Sequence, residues 1–363
     1  MTELLRKLSD DLKSLNCLCG FDGFVDEIVH TVDKRIDSER YSRVETLSEY
    51  GKRIAAASGL SLNVEIVPVS RKLGGNGPIF ALGLQKYGCE ITYIGCVGNP
   101  EIHSVFEELA SSARMIGIAE PGQTDAMEFT DGKIIRSKLT TLNQVTWENV
   151  MSKLNLHEFV QLLDQANMIS FNNWTMLPHM SEIWKHILNK AVPAMCSRRS
   201  EKVFFFDLAD PAKRKPEDIL EALELIKNFH AKGFKTVLGL NKKEACEIAS
   251  LIGCQIISFV EQPLHELVHI VGDFMAIDCV VVHPVDRAAC LADGEYVEVE
   301  GPYCAAPKLT TGAGDNFNSG FMLGYLNGWP LRESLICGVA SSGYYVRNAH
   351  SADIKDLAGF LAD

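Results

Sequence analysis

The chain of 363 residues contains no apolar run that approaches the roughly 18 residues of a membrane-spanning helix. Charges interrupt its N-terminal segment, residues 1–15, where a signal peptide needs an apolar core. Basic residues are outnumbered, because 35 lysines and arginines stand against 47 aspartates and glutamates, for a formal net charge of −12. This charge argues against nucleic acid or an anionic membrane as a main partner. We therefore expect a soluble, cytoplasmic protein that binds neither.

Two motifs of other protein classes are also absent. The eleven cysteines include no Cys-x-x-Cys pair and are scattered, which favours reduced and mostly buried thiols. The P-loop pattern Gly-x4-Gly-Lys-Ser/Thr does not occur, which excludes a P-loop kinase. An anionic substrate such as ATP must therefore be bound by local donors or a metal ion, since the chain offers no general basic field.

Short apolar runs of β-forming residues alternate with stretches of helical period, over a length that fits one large α/β domain with an appendage, or two domains. The predicted strands are 17–21, 91–94, 168–171, 203–206, 236–240 and 279–282, and the predicted helices are 78–87, 101–113, 180–188, 216–229, 242–251 and 264–275. Because these runs are apolar on both faces, they indicate a parallel sheet covered by helices on both sides. Ligands of such open sheets bind beyond the C-terminal ends of the strands.

Two regions depart from this alternation. Residues 27–72 combine charged residues with a helix-like piece and end in an alternating run, and residues 126–139 alternate around the turn Asp131-Gly132. Alternation is typical of strands with one exposed face. These pieces therefore predict a small second sheet, set apart from the main one like a lid.

The segment Thr310–Phe317, with the sequence TTGAGDNF, is the most informative part of the chain. Its glycines and alanine predict a turn that leads into a helix, and the free N–H groups of such a turn bind an anion. Asp315 would repel a phosphate, so its plausible role is to accept the proton of a hydroxyl that attacks phosphorus. An ordinary glycine turn with an aspartate in the first helical turn is the alternative.

Three further clusters each allow a functional and a purely structural interpretation. Gly74, Gly75 and Asn76 form either a glycine hinge open to a ligand or a loop before a helix. Asn241 and Glu244 either form a capping box or lie near a hydrated Mg²⁺ and phosphate oxygens. The third cluster is Asp22 and Asp26, which follow the first strand and either accept hydrogen bonds from sugar hydroxyls or are loop acids without a partner.

Taken in this order, the clusters resemble the PfkB, or ribokinase-like, family of carbohydrate and nucleoside kinases over nearly the whole chain; the strand-end Asp207 also matches. The resemblance implies one α/β kinase domain over 1–363, with a doubly wound, mostly parallel sheet and a β-sheet lid formed by segments of about 27–72 and 120–141. It implies Mg²⁺ and ATP as cofactors and a sugar or sugar-like acceptor phosphorylated on a primary hydroxyl. The implied sites are catalytic Asp315, Gly312, Ala313 and Gly314; substrate-binding Asp22, Asp26, Gly74, Gly75 and Asn76; nucleotide-binding Asn241, Thr310, Thr311 and His283; and metal-binding Glu244.

The chain departs from the family pattern at three places. Ile79 stands where the family usually has an asparagine that contacts the acceptor, and Asn76 is a candidate to compensate. Leu309 replaces a frequent acid, and the segment 283–287 replaces the usual Thr-x-Gly near the nucleotide. A nucleoside kinase of the same fold and a non-catalytic, kinase-like binding protein therefore stay open as alternatives. Exposed lid edges also allow a homodimer.

The segment His265–His269 matches the zinc-protease pattern His-Glu-x-x-His. The third ligand of the longer pattern would fall on Met275, which is a poor match. The apolar positions around it form a core-facing stripe, so the histidines are expected to face solvent. We interpret the segment as an ordinary surface helix.

Overall fold

The computed structural model describes residues 2–10 and 12–362. The strands are β1 (Asn16–Phe21), β2 (Phe24–Arg35), β3 (Tyr41–Arg43), β4 (Ile66–Gly74), β5 (Glu90–Gly95), β6 (Arg114–Gly117), β7 (Gly122–Phe129), β8 (Gly132–Lys138), β9 (Met168–Phe171), β10 (Val203–Asp207), β11 (Lys235–Leu240), β12 (Cys279–Val282), β13 (Arg287–Ala292) and β14 (Glu295–Glu300). The α-helices are α1 (Thr2–Asp10), α2 (Leu47–Ala56), α3 (Asn76–Lys86), α4 (Glu107–Ala110), α5 (Trp147–Lys153), α6 (Leu156–Gln165), α7 (Met180–His186), α8 (Val192–Ala194), α9 (Pro216–Ala231), α10 (Lys242–Leu251), α11 (Leu264–Met275), α12 (Ala313–Asn327), α13 (Leu331–Asn348) and α14 (Ile354–Ala362).

The main sheet has nine strands in the order β14-β13-β12-β11-β10-β9-β1-β5-β6. Strands β12 to β6 along this order are parallel, whereas β13 and β14 continue the edge as antiparallel strands. The side chains of Phe204 and Phe206 pack into one apolar core and that of Phe205 packs into another. Successive residues of a strand point to opposite faces, so each face of the sheet has its own core. The predicted mostly parallel α/β sheet is confirmed.

The predicted helix over residues 101–113 is wrong. This segment forms a short 3₁₀ turn, Ser104–Phe106, and then α4, which spans only Glu107–Ala110. The side chains of Phe106 and Leu109 are buried. The helix-like spacing of apolar residues therefore reflects burial of one side of an irregular segment. The antiparallel hairpin β13–β14 was not predicted, because its strands are short and have mixed polarity.

The lid is a second sheet of five strands, in which β2 pairs with β3, β4 and β7, and β7 pairs with β8. It begins at Phe24 and includes Gly74, so it reaches a little beyond the predicted segment of 27–72. The helix-like piece is α2, and its Tyr50 stacks on Phe129 of β7 at 5.4 Å between ring centroids. The predicted lid sheet is confirmed.

Within residues 2–10 and 12–362, we find no helix with the length and hydropathy needed to cross a membrane.

Candidate active site

The glycine turn lies directly before α12. Gly312 adopts a left-handed conformation, with φ 95° and ψ −2°, and caps the N-terminus of the helix. Its carbonyl accepts hydrogen bonds from the backbone N–H and the side-chain amide of Asn316, at 3.0 and 2.9 Å. The N–H of Ala313 donates to the carbonyl of Thr310 at 3.1 Å. The amides of Gly312 and Gly314 donate to none of the residues that the structure describes, so they are free for a ligand.

The turn leaves no room for a side chain at Gly312. An added Cβ would lie 2.8 Å from the hydroxyl oxygen of Tyr345 and 3.1 Å from Cδ1 of Ile79. The same Tyr345 hydroxyl donates to the carbonyl of Thr311 at 2.8 Å, which holds the turn from outside. Ile79 therefore packs against the turn.

Asp315 follows the turn and is buried, with 6% of its surface exposed. Its Oδ1 accepts a hydrogen bond of 3.0 Å from the side-chain amide of Asn76. Burial raises the pKa of Asp315 well above its usual value, and the nearby carboxylates of Asp207 and Asp22 raise it further. The carboxyl group is thus a stronger proton acceptor than an exposed aspartate.

Asp22 holds the loop that carries Asn76 in place. It is fully buried, and its carboxylate accepts hydrogen bonds from the backbone N–H groups of Asn76 and Gly77, both at 2.9 Å. It also accepts from the side chains of Asn173 at 2.7 Å and Tyr93 at 3.3 Å. Burial raises the pKa of Asp22 to about 6, although these hydrogen bonds oppose the shift. A carboxylate with four internal donors positions the loop and has little capacity left for a ligand.

Positions 74 and 75 require glycine because the carboxyl groups of Asp26 and Asp22 lie close to the backbone there. A Cβ on Gly74 would lie 2.3 to 2.5 Å from the carboxyl atoms of Asp26, and one on Gly75, whose φ is 100°, would lie 2.8 Å from Asp22 Oδ2. Asp26 is 8% exposed and borders a cavity of about 190 Å³ between the lid and the main sheet. Gly75, Asn76 and Thr311 line the same cavity.

A second cavity, of about 510 Å³, lies on the other side of the turn. Its lining includes Asn241, His283, Thr310, Ala313 and Gly314. Three of the four predicted nucleotide-binding residues therefore meet in one cavity, while Thr311 borders the lid-side cavity. Phe317 lines it as well, and its ring lies 4.6 Å from the ring of His283.

Asn241 and Glu244 form the capping box that the structural interpretation predicted. The Asn241 side chain accepts from the Glu244 N–H at 2.9 Å, and the Glu244 carboxylate accepts from the Asn241 N–H at 2.9 Å. The other oxygen of Glu244 accepts from the N–H of Asp210 at 2.8 Å. Burial raises the pKa of Glu244 to about 8, and the charge of Asp207 contributes to this rise.

Asp207 and Asn318 complete the polar edge of the sheet. Asp207 ends β10 and accepts hydrogen bonds from the Asn318 side chain at 2.8 Å and from the Ala209 N–H at 2.9 Å. Burial raises its pKa to about 6. The side-chain oxygen of Asn318 is buried and has no partner among the residues that the structure describes. Sequence reasoning assigned no role to Asn318 because its partner lies 111 positions away.

The His265–His269 segment is the surface helix that we predicted. Leu267, Val268 and Met275 of α11 are buried in the core, whereas His265 and Glu266 are exposed. His269 is half-buried, because its ring stacks on that of Tyr296. The rings of the two histidines lie 4.6 Å apart. Within the described residues, they have no third histidine, cysteine or acidic ligand close enough to complete a metal site.

A family model of prokaryotic ketohexokinase matches residues 1–363. The chain belongs to the prokaryotic ketohexokinase family. It is a carbohydrate kinase that transfers a phosphoryl group to a sugar hydroxyl. This decides against a nucleoside kinase and against a non-catalytic binding protein. The ketohexokinase of Haloferax volcanii is 25% identical to this kinase over 347 residues, which are 95% of this chain and 90% of that protein.

Solved structures confirm the ribokinase-like fold of this kinase. The ribokinase of Arabidopsis thaliana complexed with ribose and ATP has a TM-score of 0.66 at 14% identity, covering 97% of this chain and 100% of that chain. The adenosine kinase of Sinorhizobium meliloti has a TM-score of 0.66 at 16% identity, covering 96% of this chain and 99% of that chain. A sugar kinase and a nucleoside kinase superpose equally well, so the structural likeness shows the fold and the family match shows the class.

The partly buried His283 makes the kinase less stable in acid. Burial lowers the pKa of His283 from 6.5 to about 4, so below pH 6.5 the unfolded chain binds a proton that the folded chain does not. The stability that the neutral ring contributes is present above pH 6.5 and is lost as the pH falls towards 4. His283→Phe keeps a ring beside Phe317. From pH 7.5 to pH 5, we expect the free energy of unfolding of this variant to fall by about 1–2 kcal/mol less than that of the wild type. Urea unfolding of both proteins at pH 7.5 and pH 5 measures these free energies. An equal decrease in the wild type and the variant would contradict the prediction.

Proposed function

We propose that this kinase phosphorylates a primary hydroxyl of a ketohexose, with ATP as donor, Mg²⁺ as metal ion and Asp315 as general base. The observation that carries the proposal is the position of Asp315 at the turn that separates the two cavities. Its hydrogen-bond partner Asn76 lines the small lid-side cavity, and the preceding Ala313 and Gly314 line the larger one. A donor in one cavity and an acceptor in the other would react in line beside this carboxylate.

In the reaction, Asp315 accepts the proton of the attacking hydroxyl while the turn stabilises the charge of the transferring group. The free amides of Gly312 and Gly314 are the donors. The Ala313 amide is engaged with Thr310, so we assign Ala313 a steric role, since its small side chain permits close approach of the phosphate. The elevated pKa of Asp315 suits a group that must hold a proton after transfer.

We assign the acceptor to the lid-side cavity. Asp26, which is buried against Gly74, accepts hydrogen bonds from sugar hydroxyls, and Asn76 orients both Asp315 and the acceptor. Asp22 acts through the loop that it holds and does not touch the sugar. A cavity of about 190 Å³ is below the usual range for ligand pockets, which favours a monosaccharide over a larger nucleoside.

We assign ATP to the larger cavity. Asn241, Thr310 and His283 line it, with Thr311 at the boundary with the acceptor, and the ribokinase that shares the fold is complexed with ATP. A hydrated Mg²⁺ fits the acidic edge beside the cavity. Glu244 and Asp207 supply hard oxygen ligands, and Asn318 supplies an unpaired buried oxygen. Burial raises the pKa of both carboxyl groups, and the charge of Asp207 raises the pKa of Glu244 further. When bound, the ion neutralises charge on the phosphates.

The acceptor assignment is tested by comparing D-fructose, D-glucose, D-ribose and adenosine in an ADP-release assay with MgATP. We expect D-fructose to have the highest kcat/KM, by about 10-fold or more, because a pocket that pairs buried polar groups with one hydroxyl pattern discriminates against others. Removal of Mg²⁺ by a chelator should abolish turnover. Higher kcat/KM for adenosine than for fructose would contradict the acceptor assignment.

We also infer that residues 1–363 act as one kinase unit. A homodimer formed through the edges of the lid sheet stays a prediction.

A further inference from the structure

One lysine of the lid contacts the segment that leads into the glycine turn. Lys133, near the start of β8, donates hydrogen bonds from Nζ to the side-chain hydroxyls of Thr311 at 2.7 Å and Thr310 at 3.3 Å. These threonines immediately precede Gly312. The side chain of Lys133 therefore spans from the lid to the mouth of the candidate anion site, and it also borders the lid-side cavity.

The hydrogen-bond partners of this ammonium group are neutral. Within residues 2–10 and 12–362, no carboxylate lies within ion-pair distance of Lys133, whereas Arg287 beside the nucleotide cavity is paired with both Asp286 and Glu298. Neutral hydroxyl oxygens bind an ammonium group less strongly than an anion does. Lys133 is thus a cation at the anion turn that makes no ion pair with a described carboxylate. Glu128 is opposite it in the β7–β8 pair, and Asp26 interacts with its charge at longer range.

The second lysine of the lid face is placed differently. Lys72 of β4 pairs across the sheet with Asp26 of β2, whose charge favours its protonated form. Burial lowers the pKa of Lys72, and the charge of Lys133 contributes to this. The two lysines therefore do not share one role, because Lys72 lies beside the acidic group assigned to the acceptor and Lys133 lies beside the turn.

We propose that Lys133 binds the phosphoryl group as it is transferred. Its ammonium group leaves the two threonine hydroxyls for an oxygen of that group when nucleotide and sugar are both bound. The proposal rests on the assignment of the turn Gly312–Gly314 as the anion site. It adds one feature, which is that the lid supplies a positive charge as well as a cover.

Electrostatics favours such a charge at this position. The turn is next to the buried acids Asp22, Asp207 and Asp315, and an incoming phosphoryl group adds negative charge in a region with little water. A lysine carried by the lid reaches the group only when the lid is closed on the acceptor. Transfer is then assisted in the closed complex, whereas an open lid leaves the nucleotide without this cation.

Three variants of the full chain test the proposal. Lys133→Met removes the charge and keeps the length of the side chain, and Lys133→Arg retains a cation. Lys138→Met is the matched control, because Lys138 lies on the same strand, points to the opposite face and pairs only at 3.8 Å with Asp125. The measurements are kcat and KM for D-fructose and ATP, the melting temperature, and binding of ADP with aluminium fluoride, Mg²⁺ and fructose, which mimics the transferring group.

We expect Lys133→Met to lower kcat by about 10²- to 10³-fold with less than about 3-fold change in either KM, and to weaken the aluminium fluoride complex but not binding of ADP. Lys133→Arg should recover part of kcat, and Lys138→Met should stay within about 2-fold of the wild type. Unchanged kcat in Lys133→Met, or a raised fructose KM with unchanged kcat, would overturn the proposal. Failure of the underlying assignment is recognised separately, because Asp315→Asn would then retain its activity whatever Lys133 does.

Discussion

Replacement of Asp315 by asparagine is expected to lower kcat by about 10²- to 10⁴-fold, which is the usual contribution of a general base. The amide oxygen of the new side chain can still accept the hydrogen bond that Asn76 donates, so the geometry of the turn is kept. What is lost is the ability to take the proton of the sugar hydroxyl. Steady-state assays with saturating fructose and MgATP measure the loss, and calorimetry with ATP should show affinity within about 3-fold of the wild type.

The control for this variant addresses the alternative that Asp315 only serves the helix dipole. Asp218 also lies in the first turn of a helix, α9, where it is half-buried and pairs with Arg214 at 3.7 Å. Asp218→Asn removes a comparable interaction with the helix dipole, worth about 0.3–1 kcal/mol, and should leave kcat unchanged.

The two variants should also differ in stability at pH 8. Asp315→Asn removes a buried acid crowded by Asp207 and Asp22 and should not lower the melting temperature.

Gly312→Ala is expected to lower kcat by about 10²-fold, because an anion-binding donor is displaced. An alanine at φ 95° is strained, and its Cβ would meet the Tyr345 hydroxyl at 2.8 Å and Ile79 at 3.1 Å. The turn has to move to relieve these contacts, and the amides of Gly312 and Gly314 move with it. The measurement is kcat together with the affinity for the ADP, aluminium fluoride and fructose complex, which should weaken in parallel.

The matched control is Gly253→Ala, at a position with φ 90° where an added Cβ has no neighbour within 4 Å. Both substitutions impose similar backbone strain, of about 1–2 kcal/mol. Only Gly312→Ala should lose activity. Equal kcat values in the two variants would mean that the conformation of Gly312 serves the helix and not the chemistry.

The main sheet was predictable because its strands are apolar on both faces. Phe204, Phe205 and Phe206 alternate between two cores, so consecutive apolar residues mark a buried strand whatever covers it. The lid hairpin was predictable for a different reason, since buried residues of β7 alternate with half-buried ones from Asp125 to Phe129 and β8 is mostly exposed. The irregular segment 101–113 was not, because burial of Phe106 and Leu109 imitates a helical period without the helix.

The candidate site was predictable where function lies in a local backbone feature. The turn before Asp315 and the capping box at Asn241 are each encoded within a few residues. Contacts between distant segments were not predictable in the same way. The hydrogen bonds from Asn76 to Asp22 and Asp315 depend on how α3 packs beside β1 and α12. The contact of Lys133 with the turn depends on how the lid is set against the main sheet. A single sequence does not specify that placement.

The most direct test of the central claim is the rate of phosphoryl transfer in a single turnover. Rapid-quench measurements with enzyme in excess over γ-labelled ATP, at saturating fructose, isolate this step from product release. If Asp315 takes the proton of the sugar hydroxyl, Asp315→Asn will form labelled sugar phosphate about 10²- to 10⁴-fold more slowly than the wild type while binding ATP equally well. Equal single-turnover rates in the two proteins would contradict the assignment of Asp315 as the base.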